Sequence, residues 1–159
     1  MAEFSGIIAP GDIDTVYSRT AIQLGTRIKD NDGNEFIFLQ GVASTEQWDW
    51  VTYDELYQTT RLVVSATGPV AIAQGAILAD KYGWFQVFGV GSAHVVQNTA
   101  DNSTLGFETT SGRVGDGYAS GDQIFFAVCR SATENSSTDE HSTVQVIYPW
   151  VGRSAVALT

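Results

Sequence analysis

A single cysteine, Cys129, in a chain of 159 residues rules out an internal disulfide, so the sequence carries no sign of an oxidising compartment. Basic residues are scarce: eight Lys and Arg stand against eighteen Asp and Glu, the formal net charge is −10, and no Lys/Arg cluster occurs. Polyanion binding needs a concentrated basic face, so nucleic acid is not an expected partner. No apolar run reaches the roughly 18 residues of a membrane span. The start, Met-Ala-Glu-Phe-Ser, lacks the basic opening and apolar core of a signal peptide. We therefore expect no membrane association and synthesis in a cytoplasm. Charged residues make up 16% of the chain, against roughly 25% in an average soluble domain. Lys, Leu and Met are few, which disfavours helices.

What is present favours strands. Sixteen glycines, abundant Ser and Thr and 43% hydrophobic residues suit short strands and tight turns. The length allows one core, and the expected fold is all-β. It is a compact antiparallel barrel or sandwich (residues 21–151) with an extended N-terminal arm (1–20), a short C-terminal tail (152–159) and at most one or two helical turns. The arm is broken by Pro10-Gly11-Asp12, and Ile7-Ile8 is its only compact apolar pair.

Ala21 to Lys29 alternates at Ile22, Leu24, Thr26 and Ile28, and Glu35 to Gln40 follows the Asp30-Asn31-Asp32-Gly33-Asn34 turn, which together predict a hairpin. Further strands are expected at 47–53, 61–66, 69–73, 75–79, 104–108 and 143–148, the last stopped by Pro149. One helical turn is expected at 54–58. The organising stretch is 79–97, read as a central hairpin turning at Gly89-Val90-Gly91. Its first arm alternates Trp84, Gln86 and Phe88 against Phe85 and Val87, so both faces carry apolar bulk. Gln123 to Arg130 is the second strand apolar on both faces and is expected beside that hairpin. Residues 131–142 read as an exposed polar loop.

Several groups invite a chemical reading. Asp30 to Glu35 has carboxylates beside a glycine, but Gly33 is fourth where a calcium loop of the EF-hand type needs glycine sixth, and a strand starts at Glu35. A plain turn is the better reading. His94 and His141, the only imidazoles, lie far apart in sequence and show no paired-ligand spacing, so neither zinc nor a catalytic triad is expected. Cys129 sits in an apolar strand and reads as a core residue. Gly89-Val90-Gly91 is not followed by a helix and is no phosphate loop. Asp101, Asp116 and Asp122 lie in turns that Asp favours for local hydrogen bonds. No catalytic, cofactor or metal site is assigned.

The aromatic residues say more. Trp48, Trp50, Tyr53, Tyr57, Trp84, Phe85, Phe88, Tyr148 and Trp150 exceed what one small core readily takes, and interface cores concentrate such residues. Ile7, Ile8, Trp48, Trp50, Trp84, Phe88 and Trp150 are the interface candidates. Sugar binding on exposed aromatics is an alternative use of them. A small hydrolase built at a subunit interface, joining His94 to the turn aspartates, is a more remote one.

The succession Leu24-Gly25-Thr26-Arg27-Ile28-Lys29-Asp30, Asp32-Gly33-Asn34-Glu35-Phe36, Trp50-Val51-Thr52-Tyr53-Asp54, Tyr82-Gly83-Trp84-Phe85-Gln86-Val87, Ala100-Asp101-Asn102-Ser103 and Thr143-Val144-Gln145-Val146, with Tyr148-Pro149-Trp150-Val151, resembles the decoration, or cement, proteins of tailed-phage heads. The resemblance implies a virion protein on the outer surface of the head. It would bind the major capsid protein, stabilise the lattice and associate with itself, as a homotrimer or another cluster. No cofactor and no enzymatic activity follow from it. An acidic chain with few charges and an N-terminal arm suits such a position, because a segment of this kind can add a strand to a neighbour's sheet.

Overall fold

The computed structural model describes residues 13–19, 22–119, 121–133 and 141–152. Ten strands follow one another: β1 (Arg27–Lys29), β2 (Glu35–Gln40), β3 (Trp50–Tyr53), β4 (Thr59–Arg61), β5 (Gly68–Ala73), β6 (Tyr82–His94), β7 (Thr104–Phe107), β8 (Val114–Gly115), β9 (Gln123–Cys129) and β10 (His141–Val151). They pair antiparallel in one sheet, ordered β1-β2-β6-β5-β10-β9-β7-β8, with β3 joining β5 to β4. The sheet bends on itself without closing, and no helix occurs among the described residues. The expected all-β antiparallel architecture is thus the observed one.

The hairpin forms about the predicted turn, but β1 is only Arg27–Lys29: Ile22 to Thr26, expected as strand, contain a turn in which the Thr26 N–H donates to the Gln23 carbonyl at 3.2 Å. Asp30 makes the turn, since its carboxylate accepts the backbone N–H groups of Asp32 and Asn34, each at 2.9 Å, and the Asn34 amide at 2.8 Å. Those oxygens serve the turn, as Asp does at such positions.

The organising stretch differs from expectation. It is not a hairpin but one strand of 13 residues, β6, which continues through Gly89-Val90-Gly91 without reversing. Up to Phe88 its partner on one edge is β2, from Tyr82↔Gln40 to Phe88↔Glu35. From Phe88 onward its partner on the other edge is β10, from Phe88↔Ile147 to His94↔His141. β5 enters this fork, pairing Ile72 and Ala73 with Gln86 and Phe85 of β6 and Pro69 and Gly68 with Trp150 and Val151 of β10. The glycines therefore bend a strand instead of reversing the chain. Gly89 has φ of +104°, and a Cβ there would collide with the Asn34 carboxamide. That carboxamide oxygen accepts the Val90 N–H at 2.9 Å, so a donor at the bend is satisfied from the neighbouring turn.

Other boundaries move for local reasons. Trp48 has φ of +70°, so β3 starts at Trp50 and not at residue 47. Residues 54–58 form a tight turn and no helical one, because the Asp54 carboxylate accepts the N–H groups of Leu56 and Gln58 and reverses the chain into β4. Most of 61–66 is a turn, with only Arg61 in β4, and 75–79 is irregular with Ile77 inserted into the core. β10 continues through Pro149 to Val151. A register shift between Val146 and Trp150, with Tyr148 at φ +49°, forms a bulge around the proline, which has no N–H to give a ladder. β9 does not lie beside β6, because β10 stands between them.

The two apolar faces of the first half of β6 are real. Phe85 and Val87 join Ile37, Leu39, Val51, Ala71, Ala73 and Ile77 on one side of the sheet. Trp84 packs on the other side with Phe36 and Phe38. The second face is covered by this chain's own early residues, namely Ile13, Tyr17, Ile22, Leu24 and Ile28. Tyr17 also bridges Tyr82, with mutual N–H to C=O bonds of 2.8 and 3.0 Å. The later part of the expected arm is therefore anchored on its own domain. A third core lies between the far halves of β6 and β10 and strands β5, β7 and β9, where Cys129 is fully buried, as expected of it.

Gly89→Ala should cost about 2 kcal/mol or more in denaturant unfolding, from a strained positive φ and the collision with Asn34. Gly117→Ala, with no atom within 4 Å of its added Cβ and no positive φ, should change stability little. Equal effects would refute the bend.

Candidate functional site

The interface candidates separate by burial. Trp50 is 0% and Trp84 3% exposed, so both are core residues of this chain and offer no surface. Each is packed among this chain's own strands, which the number of aromatics alone does not show. Phe88 is half-buried against the Tyr148 ring at 5.4 Å. Trp48 is half-buried beside both imidazoles, with ring centroids 4.3 Å from His141 and 6.3 Å from His94. Trp150 is the exposed one, at 51%. Ile7 and Ile8 lie outside the described residues.

The sheet adds surface residues that the sequence reading put inside. Phe125 is 40% and Phe126 66% exposed, because Phe126 takes φ of +63° and breaks the alternation of β9 beside the bulge of β10. Phe125 pairs with Trp150, Ile147 pairs with Phe88, and Val90 pairs with Gln145. Paired residues share a face, so Val90, Ile147, Trp150 and Phe125 lie on the outer side of β6, β10 and β9, opposite the buried Val144 and Val146. An apolar outer face of this kind on adjacent strands is uncommon in proteins that act alone.

Trp150 also borders a cleft. Where β5 enters the fork, two hollows of about 690 and 380 Å³ share Tyr53, Pro69 and Trp150. The larger reaches the β3–β4 turn and Tyr57, whose ring lies against Gly25 so closely that a Cβ there would strike it. The smaller is walled by Arg27 and Tyr148. The Arg27 guanidinium sits 5.6 Å from the Tyr148 ring centre, and the Tyr148 hydroxyl donates to Glu35 at 2.8 Å. That bond to a carboxylate holds the Tyr148 hydroxyl above its ordinary pKa. Burial raises Tyr53 as well, against the opposing charge of Arg27, so both phenols remain donors at neutral pH.

The sequence reading missed a buried charge cluster. Asp49 is fully buried, and its carboxylate meets the His94 ring (Nδ1 to Oδ1, 3.0 Å), the Glu46 N–H (2.8 Å) and Arg61 (Nε to Oδ2, 2.8 Å). The Arg61 Nε–H is not aimed along a hydrogen bond, so that contact is one of charge. Trp48 and Trp50, on either side of Asp49, tie the backbone to β6: the His94 N–H donates to the Trp48 carbonyl at 2.9 Å and the Trp50 indole N–H to the His94 carbonyl at 3.0 Å. Ligand atoms of Glu46, Asp49 and His94 lie within 4.8 Å of one another. A cation among them would have to separate Asp49 from His94 beside the positive Arg61, so the cluster reads as an internal ion-pair network. His94 and His141, distant in sequence, stand opposite each other on β6 and β10. Of the turn aspartates, Asp116 accepts the Ala100 N–H at 2.9 Å, and the carboxylate that meets His94 is Asp49. No family model, curated protein or solved structure matches the chain.

Asp49→Ala should lower unfolding free energy by about 3–5 kcal/mol, because it strands a largely buried Arg61; a loss under about 1 kcal/mol would contradict the network. A second prediction concerns pH. Partial burial and the neighbouring Asp116 raise the pKa of Glu108. The folded chain thus holds this proton more tightly than the unfolded one, so stability from this group is present in acid and falls as pH rises through the carboxylate range. Glu108→Gln should stabilise the protein by a few tenths of a kcal/mol at pH 7, the effect of a partly solvated group, and make no difference near pH 3.5. Destabilisation at pH 7 would reverse the assignment.

Proposed function

We propose that this chain is a structural protein of a tailed-phage virion that binds the outer surface of the major capsid lattice and holds to sister copies there. The observation that carries the reading is the outer face of β9 and β10. Phe125, Phe126, Ile147 and Trp150 are each at least 40% exposed on neighbouring strands, in a chain with 16% charged residues. Burying such residues against a partner contributes about 25 cal/mol per Å² of apolar area, and many modest contacts sum across a lattice. The net charge of −10 favours a place away from packaged nucleic acid. The order of motifs resembling decoration proteins points the same way. In this reading the domain is preformed, affinity comes from its aromatic and aliphatic side chains, and no chemical step is involved.

Binding of purified chain to undecorated heads tests this. Phe126→Asp and Ile147→Asp, both at exposed positions, should leave the fold intact by circular dichroism yet reduce occupancy at least about tenfold. Unchanged occupancy with both substitutions combined would refute the assigned face, and failure of the native chain to bind heads at all would refute the function.

A further inference from the structure

We infer that the cleft at the fork of β5, β6 and β10 is a binding site for a neutral oligosaccharide. The inference shares only Trp150 with the outer face and otherwise rests on different side chains, so Phe126 and Ile147 belong to the lattice reading alone. A pyranose presents a face of C–H bonds, which seats on the negative face of an aromatic ring, and a rim of hydroxyls that both donate and accept. The cleft offers both complements.

Trp150, 51% exposed, and Tyr57, 37% exposed, border one hollow from β10 and from the β3–β4 turn, with Tyr53 between the two hollows. Tyr57 is held by its close seat on Gly25 and Tyr148 by its bond to Glu35, so these rings are positioned before any ligand arrives. Beside the rings the lining includes residues with short polar side chains, Thr52, Thr60 and Thr67, together with Gln58 and Glu55. These suit the alternating donors and acceptors of a sugar better than the successive apolar pockets that a proline-rich peptide needs. The charges select among sugars. Asp54 and Glu55 line the larger hollow, and the cation of the smaller one, Arg27, is already shared with Glu35 at 3.6 Å, so an anionic glycan is disfavoured. The larger hollow, about 690 Å³, has the size of ordinary small-ligand sites, and the adjoining one extends it for a further unit.

The test is a titration of the full chain with neutral trisaccharides of glucose, galactose, mannose and N-acetylglucosamine, followed by tryptophan emission and amide NMR shifts. Trp150 is the most exposed of the four tryptophans, and its emission should report occupancy directly. At least one trisaccharide should bind saturably, with a Kd below about 1 mM. Trp150→Ala and Tyr57→Ala should each weaken binding about tenfold or more, Trp150→Phe less, and Phe126→Asp not at all. Absence of saturable binding by every trisaccharide, binding unaltered by both alanine substitutions, or capture of a proline-rich peptide in place of any sugar would each overturn the inference. Loss of lattice binding by Phe126→Asp with sugar binding intact would show that the two activities are separate.

Discussion

The bend of β6 at Gly89 is the constraint on which the rest of the sheet depends. A strand that continued straight from Tyr82 to His94 beside β2 would leave β10 without its long partner. By turning at a positive φ, β6 gives its first half to β2 and its second to β10. β5 then has a place to enter, and the bulge of β10 at Tyr148 and Pro149 falls where the strands diverge. The cleft lies in that divergence, and the outer apolar face lies on the strands beyond it. Both surfaces of interest are consequences of one backbone conformation that glycine adopts easily and other residues do not.

The Asp49 network holds the other end of β6. A buried carboxylate is costly unless its oxygens are satisfied, and here three groups from different parts of the chain converge on it. Gly112 approaches so closely that a Cβ would come within 2.7 Å of Asp49 Oδ1, and its carbonyl accepts the Trp50 N–H at 3.0 Å. The network therefore specifies which segments meet more than it adds net stability, and it places Trp48 beside His94 and His141.

Local signals were legible in the sequence where geometry follows from neighbouring residues. The Asp30 turn, the strand from Glu35 to Gln40 and the two faces of Trp84 and Phe85 all came through. Failures occurred where a distant partner decides. Gly89-Val90-Gly91 permits either a reversal or a bend, and only pairing to β10, more than fifty residues later, selects the bend. Pro149 ends a regular strand but not one that bulges around it. Phe125 and Phe126 read as interior because regular alternation over an apolar run covers both faces, whereas the left-handed backbone at Phe126 breaks the alternation and leaves both exposed. Asp49 gave no local sign, since Arg61 and His94 reach it only in the folded sheet. The cleft was likewise hidden, although exposed aromatics as sugar platforms were a legible alternative.

In the proposed reading, the outer face seats the β domain on a surface and the cleft presents a second site beside it. Because the proposed lattice role rests on position and not on chemistry, the most direct test is where the chain resides. Quantitative mass spectrometry and surface antibody labelling of purified particles should find it in fixed proportion to the major capsid protein and accessible from outside. Its absence from particles, or its presence only within them, would contradict the account.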